Sequence, residues 1–336
     1  MSWLGLDIGG ANLKAADAAG FAVSHPFPLW KDPEALPQEL SALLCDAPTH
    51  DNLAVTITGE LADCYSTKRE GIAAIVEATI AAADSRRCLF YQTTGDLVSA
   101  QEAKQETLLT AASNWHALAC LAGRVAPSDF SLLIDIGSTT CDVIPIVDGV
   151  PRPQGTNDPE RLVNFELVYT GVERSPVCAL VDSIPWRKEE YPVAQELFAT
   201  TRDVYLLLGD LPEDPADSAT ADGQAATRAA AHTRMARSIC ADREMFSQSD
   251  AETAADAVAA AQLALIAQAV ATVIDRHAEP RQIVVSGQGE FLARRVIDYL
   301  GLETDIVSLA DRFGRTASWC GPAYALAVLC EERVTS

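Results

Sequence analysis

One phrase occurs twice in this chain, and it limits the fold more than any other feature. Residues 4–17 read LGLDIGGANLKAAD, and residues 132–146 read LLIDIGSTTCDVIPI. Each is an apolar run ending in Asp, then a Gly-containing turn, then a second run with strand character. Glycines let backbone amides turn toward an anion, and a strand hairpin holds that turn rigid. An Asp at the strand end is placed to hold a hydrated Mg²⁺. Two such turns facing each other would clasp a phosphate or diphosphate from both sides. A single copy would pass as an ordinary tight hairpin. Two copies, with a third Gly-rich strand-to-helix turn in VVSGQGEFL (residues 284–292), argue for an internal duplication around a phosphate site.

The rest of the chain reads as strands and helices alternating around these turns. Residues 3–8, 12–18 and 21–28 suit a three-strand meander, followed by a helix from Asp32 to Leu44 and a strand over 52–57. A helix over 68–83 has Ser66 or Thr67 as its cap and an apolar stripe at Ile72, Ile75, Val76 and Ile80. A strand over 88–91 and a helix over 111–122 complete the first cycle. The second opens with strands over 132–136 and 141–147. Residues 190–244 read as mostly helical, interrupted by the acidic loop GDLPEDPADSATADG at 209–223. A helix over 251–275, a strand over 282–286, a helix opened by GQGE and a closing helix over 320–331 follow.

Composition narrows the function classes. A chain of 336 residues suits two domains, and 49% hydrophobic residues can fill a large core. The net charge of −22 disfavours nucleic acid, whose binding needs basic stripes, and anionic membrane surfaces would repel it. The expected partners are therefore small molecules, with a homodimer the macromolecular association left open. Nine cysteines include no C-x-x-C pair and read as reduced core residues of a cytoplasmic protein. MSWLGLDIGG has no signal-peptide pattern. The Ala-rich run 254–273 is interrupted by Asp256, Gln262 and Gln268, and reads as a buried helix rather than a membrane span.

The candidate site residues follow from the turns. Asp7 and Asp135 are the metal-side carboxylates. Lys14, seven residues past Asp7, can reach a diphosphate from the second strand of its hairpin. Asn12 can contact a phosphate oxygen or cap the turn. Gly9, Gly10 and Gly137 shape the turns, and Ser138, Thr139 and Thr140 offer hydroxyl and amide donors. Asp142, on the strand after the second turn, is either a base or the partner of an Arg or Lys. Glu60 and Asp63, in TGELAD, follow a buried-looking strand and suit a general base, an amine site or a helix cap. Arg174, in YTGVERSP, is a candidate for an anionic end of a substrate. Trp115 reads as core, and His116 alone is no sign of a metal.

The threefold arrangement resembles the superfamily of acetate and sugar kinases, heat-shock ATPases and actin. In that comparison Asp7, Gly9 and Gly10 match the first phosphate loop, and Asp135, Gly137, Ser138 and Thr139 match the second. Gly287 and Gly289 match the late adenosine-side turn. The resemblance implies an α/β fold of duplicated actin-like ATPase (ribonuclease H-like) domains, here 1–128 and 129–336, with a cleft between them and a helical insertion around 187–250. LDIGGANLKAA, TGEL, IDIGSTTCDVIPI and SGQGE resemble more closely the hydantoinase/oxoprolinase branch. Within it they resemble the family associated with tetrahydromethanopterin-linked one-carbon transfer. That resemblance implies a Mg²⁺-dependent transferase of methanofuran-type cofactor biosynthesis, which condenses a furfuryl-type diphosphate with a phenolic amine and releases diphosphate. Lys14, Glu60 and Asp142 would be its catalytic side chains. ATP or ADP in the same cleft, as in a small-molecule kinase, and hydrolysis of cyclic amides are the competing expectations.

Overall fold

The computed structural model describes residues 2–335. Its first half runs β1 (Trp3–Gly9), β2 (Asn12–Ala16), β3 (Ala22–Pro26), α1 (Leu36–Asp46), β4 (Asn52–Thr58), α2 (Lys68–Ala82), β5 (Arg87–Tyr91), β6 (Leu97–Val98), α3 (Ala100–Gln105), α4 (Thr107–Thr110) and α5 (Asn114–Val125). The second half begins with β7 (Phe130–Ile136), β8 (Cys141–Val147), β9 (Val150–Pro151), α6 (Asp158–Val163), β10 (Leu167–Val168), β11 (Ser183–Trp186) and β12 (Glu189–Pro192). It continues through α7 (Thr201–Leu208), α8 (Arg228–Arg237), α9 (Gln248–Ile274), β13 (Gln282–Ser286), α10 (Glu290–Tyr299), β14 (Asp305–Ser308), α11 (Leu309–Phe313), α12 (Arg315–Trp319) and α13 (Gly321–Thr335).

Each Asp-Gly phrase founds a sheet. The first has the order β3-β2-β1-β4-β5-β6, and the second β10-β8-β7-β13-β14 with β9 beside β8. In both, the hairpin bearing the phrase is antiparallel. The strands on its other side run parallel, β1-β4-β5 and β7-β13-β14. Parallel neighbours need long crossovers, and helices supply them. The repeated topology is the duplicated actin-like arrangement that the two phrases imply.

Strand alternation aims the aspartates. Side chains on a strand point to opposite faces with period two. Leu4, Leu6 and Ile8 pack outward with Leu40, Leu43, Ile72 and Ile75 of α1 and α2. Leu132, Ile134 and Ile136 pack outward with α9 and α10. Asp7 and Asp135 therefore lie on the opposite faces, toward the layer between the sheets. A shared core fills that layer, formed by Trp115, Leu118 and Leu121 of α5 and Leu326 and Leu329 of α13 against Trp3, Ala54, Leu133 and Val284. The helix closing the chain thus lies on the first sheet. Its backbone approaches so closely that a Cβ on Gly5 would fall 1.9 Å from Ala323 O.

Several local expectations are corrected. Residues 190–244 are not mostly helical: β12 pairs with β11 in a hairpin, and α7 and α8 are short, while the segment between them is irregular, as the acidic loop at 209–223 implied. Ion pairs, one of them buried, hold this region, and propensity does not register them. Arg234 pairs with Asp203 and Asp222, and Arg202 with Asp217. The helix expected from residue 111 starts at Asn114, because Ala112 has φ +48°, a left-handed conformation that a helix cannot include. Short helices α3 and α4 precede it. All nine cysteines are free, yet only Cys141, Cys320 and Cys330 are fully buried, while Cys45 and Cys240 are exposed. The helix α9 is long and apolar enough to cross a membrane by length and composition. In the fold its buried side, including Val258, Ile266 and Val270, packs in the core of the second half.

Candidate active site

A cleft of about 470 Å³ opens between the two hairpins. It brings together Asp7, Gly9, Gly10, Asn12, Lys14, Glu60, Asp135, Gly137, Ser138, Thr139, Thr140, Asp142 and Gly287, all expected from the sequence. Gly289 is not among its lining residues. It precedes α10 and packs on β7, where an added Cβ would lie 2.5 Å from Ile136 Cγ2.

The two turns are braced in the same way. Gly10 O and Ala11 O accept from Leu29 N and Phe27 N, each at 2.9 Å, and Gly59 lies beneath the turn, where a Cβ would be 3.1 Å from the Gly9 carbonyl carbon. In the second turn Gly137 N donates to Thr140 O at 2.9 Å, and Ser138 O accepts from Glu173 N and Arg174 N at 3.0 Å. Gly171 lies beneath it, where a Cβ would be 2.5 Å from Gly137 O. The late turn closes over the same point. Gly287 has φ +89°, and a Cβ there would come 2.3 Å from Ile136 O and 2.9 Å from Asp135 Oδ1. Only glycine fits.

The strand register sets the charges. Asp7 stands opposite Lys14, and Asp135 stands opposite Asp142. Directly opposed residues share a face, so each pair projects together. Asp7 is buried and its Oδ1 accepts from Thr58 Oγ1 at 3.3 Å. Burial holds its carboxyl above the usual range, and Lys14 pulls it back. Asp135 is pushed up to about 7, first by burial and then by the charge of Asp142.

Asp142 is the partner of a cation. Arg161, on α6, forms a short ion pair with its Oδ1 and donates to Glu166 O at 3.1 Å. Burial raises the Asp142 carboxyl, and Arg161 opposes this. The guanidinium also lies 4.4 Å over the ring of buried Trp115, which confirms Trp115 as core. Arg161 was not legible as a site residue, since nothing in NDPERL marks it apart from other helix-start arginines.

From there an alternating chain of charges crosses the cleft. Arg161 Nη1 lies 3.5 Å from Asp158 Oδ1, Asp158 Oδ2 lies 3.6 Å from Lys68 Nζ, and Lys68 Nζ lies 3.1 Å from Glu60 Oε1. Lys68 and Glu60 belong to the first half, Asp158 and Arg161 to the second. Glu60 is not the cap of α2; Thr67 is, accepting from Glu70 N. The Glu60 carboxyl is raised by burial and lowered by Lys68, and among the described residues its Oε2 has no hydrogen-bond partner. A second link joins the halves at the rim, with the exposed Arg174 4.8 Å over the ring of Trp30. Asp63 lines the cleft from an exposed position, and Asn114 lines it from the start of α5. His116 instead shares a hydrogen bond with Tyr91 Oη at 2.9 Å, in the layer behind.

A duplicated sheet with a phosphate-type turn in each half, facing across a cleft, places the protein in the actin-like ATPase and sugar-kinase fold class. Among solved structures, the chain superposes over 100% of its length on 99% of a chain of a PilM–PilN type IV pilus biogenesis complex, with a TM-score of 0.52 and 14% identity. It also matches nucleotide-free acetone carboxylase, over 94% of this chain and 51% of that one, with a TM-score of 0.51 and 13% identity. The hydantoinase/oxoprolinase family profile matches residues 51–333. A curated protein of Methanocaldococcus jannaschii, named (4-{4-[2-(gamma-L-glutamylamino)ethyl]phenoxymethyl}furan-2-yl)methanamine synthase, is 34% identical over 335 residues, 98% of each chain. A protein of the same name from Methanococcus vannielii is 30% identical over 61% of this chain and 92% of its own length. The chain belongs to the hydantoinase/oxoprolinase family and, with these two proteins, to the family of furanylmethanamine synthases.

Proposed function

We propose that this chain is a Mg²⁺-dependent transferase that joins a furfuryl-type diphosphate to a phenol, releasing diphosphate, as a step toward a methanofuran-type cofactor. One observation carries the reading: a relative named for a phenoxymethyl-furan product is 34% identical over 98% of both chains. The product name defines the bond made, an ether between a furan methylene and a phenol oxygen. The furan CH2–O bond to diphosphate breaks, the phenol oxygen takes its place on the methylene, and the phenol gives up its proton. A furfuryl carbon ionises readily once its leaving group is neutralised.

The cleft has the parts for that neutralisation. The two turns with Ser138, Thr139 and Thr140 would cradle the diphosphate, and Lys14 would oppose its charge as it builds on the leaving oxygens. Magnesium keeps most of its shell as water and phosphate oxygen and takes only one or two protein carboxylates. Asp7 and Asp135, whose carboxyls burial raises and a cation would lower, fit that demand. Bound there, the ion would supply further charge neutralisation at the leaving group. A phenol has a pKa of about 10, so a cleft carboxylate must accept its proton. Glu60 and Asp63 line the cleft apart from that metal-side pair and would be the candidates, whereas Asp142 is held by Arg161.

The test is direct. Furfuryl diphosphate, a phenolic amine and Mg²⁺ are incubated with the protein, and diphosphate and the ether are followed by mass spectrometry. Titration with Mg-diphosphate, Mg-ADP and Mg-ATP is run alongside. Ether formation with diphosphate binding and no ATP cleavage is expected. Micromolar ATP affinity with acceptor-dependent ADP release would overturn the transferase in favour of a small-molecule kinase.

A further inference from the structure

The diphosphate reading uses Asp7, Lys14, Asp135 and the two turns, and leaves an acidic corner of the same cleft without a ligand. Glu60 and Asp63 line it from the first half and Asp158 from the second. The nearby cations are already shared. Arg161 is held by Asp142, and Lys68 sits between Glu60 and Asp158 at 3.1 and 3.6 Å. Counting Glu60, Asp63, Asp142 and Asp158 against Lys68, Arg161 and Arg174 leaves one negative charge over. Glu60 is 2% exposed, and among the described residues its Oε2 meets no donor. A carboxylate oxygen taken out of water without a donor is an unmet demand that a ligand can satisfy. The same cleft is walled by Trp30, with Arg174 over its ring, and by Tyr169, which is largely exposed. Surplus negative charge, a bare buried acceptor and aromatic walls together describe a site for an organic cation carried on a flat ring.

We propose that Glu60, assisted by Asp158 from across the cleft, binds a primary ammonium group borne on an aromatic or heteroaromatic ring. The identity of the ring as an aminomethyl-furan rests on the proposed reaction; the ammonium site itself rests on the charges. An ammonium brings three donors and no acceptor, which suits Glu60 Oε2 and a second carboxylate. Glu60 is then a binding residue rather than the base, and Asp63 is the cleft carboxylate left for the phenol proton. The site also gives specificity by the stronger of two routes. A donor lacking the amine leaves the buried Glu60 Oε2 without a partner, which discriminates more sharply than a missing apolar group.

The experiment uses the full chain and two small probes, furfurylamine and the uncharged furfuryl alcohol, titrated into the millimolar range by ligand-observed NMR. The wild type is expected to bind the amine and not the alcohol. Glu60→Gln and Asp158→Asn should each weaken amine binding by about tenfold, near 1.4 kcal/mol, with the melting temperature checked for each variant. If Glu60→Gln fails to fold, Asp158→Asn carries the same reading. Equal binding of amine and alcohol, no amine binding, or wild-type affinity in a folded variant would overturn the site. Failure of the alkyl-transfer reading shows itself differently: amine binding persists while no furfuryl diphosphate is consumed. Equal rates of diphosphate release from donors with and without the aminomethyl group would sink the ammonium site while leaving the transferase intact.

Discussion

In the first hairpin Asp7 faces Lys14, and at the same place in the second hairpin Asp135 faces Asp142. The turns around them match closely: each is braced by main-chain bonds from behind and rests on a glycine from a neighbouring segment. Duplication kept the backbone device and changed the sign of one charge. The change has structural consequences. A third carboxylate on the two hairpins needs a cation, and Arg161 provides it from α6. Among the described residues no salt bridge involves Lys14, so the first hairpin offers a cation to a ligand while the second uses its cation internally. The cleft therefore has one side suited to anions and one corner with surplus negative charge. Two symmetric halves would not make that distinction.

The largest expected effect tests the internal use of Arg161. Arg161→Met leaves Asp142 buried and uncompensated, and should lower stability by about 3–5 kcal/mol in denaturant unfolding. Adding Asp142→Leu should restore much of that loss. If Arg161→Met alone is as stable as wild type, the pair is not what separates the two hairpins.

Next come the two aspartates that the hairpins share. Asp7→Asn and Asp135→Asn should each lower turnover on the order of a hundredfold, about 3 kcal/mol, with the fold intact by circular dichroism. Wild-type turnover in either variant would remove that hairpin from the site. Lys14→Gln should act more mildly, weakening Mg-diphosphate binding about tenfold in calorimetry without loss of stability. A destabilised Lys14→Gln would mean that its charge is used inside the fold after all.

The smallest effect is one of pH. The Asp135 carboxyl is raised to about 7, so the folded protein binds a proton there that the unfolded chain has released. That preference favours the folded state fully below the unfolded carboxyl pKa of about 4, and is lost as pH rises through 7. The melting temperature of the ligand-free wild type should therefore fall relative to Asp135→Asn between about pH 4 and 7, and the gap should level off above. Scans at several pH values check this, and a gap independent of pH would show that Asp135 ionises normally.

How much of this was legible depended on the distance over which each feature is decided. The strand–turn–strand phrases, the closing helix and the gathering of Asp7, Lys14, Asp135 and Ser138–Thr140 on one cleft could be read because apolar alternation and glycine turns act between near neighbours in the chain. The hairpin β11–β12 and the shortness of α7 and α8 could not, because pairing such as Arg234 with Asp203 leaves no local pattern in the chain, whereas the irregular acidic loop before α8 was legible from its composition. Gly287 was legible as a turn and Gly289 only in part, since its reason is the close approach of α10 to Ile136.

The sequence by itself determined that two hairpins of one kind would exist, and strand alternation then aimed their aspartates toward the layer between the sheets. Their polar surroundings were decided by tertiary structure alone. Lys68 meets Asp158 from ninety residues away, Arg161 reaches Asp142 over the ring of Trp115, and Glu60 keeps one oxygen bare. Each of these depends on where two halves of the chain come to rest against α5 and α13. Charge pairing across a cleft has no period along the chain, so only the packed molecule fixes it.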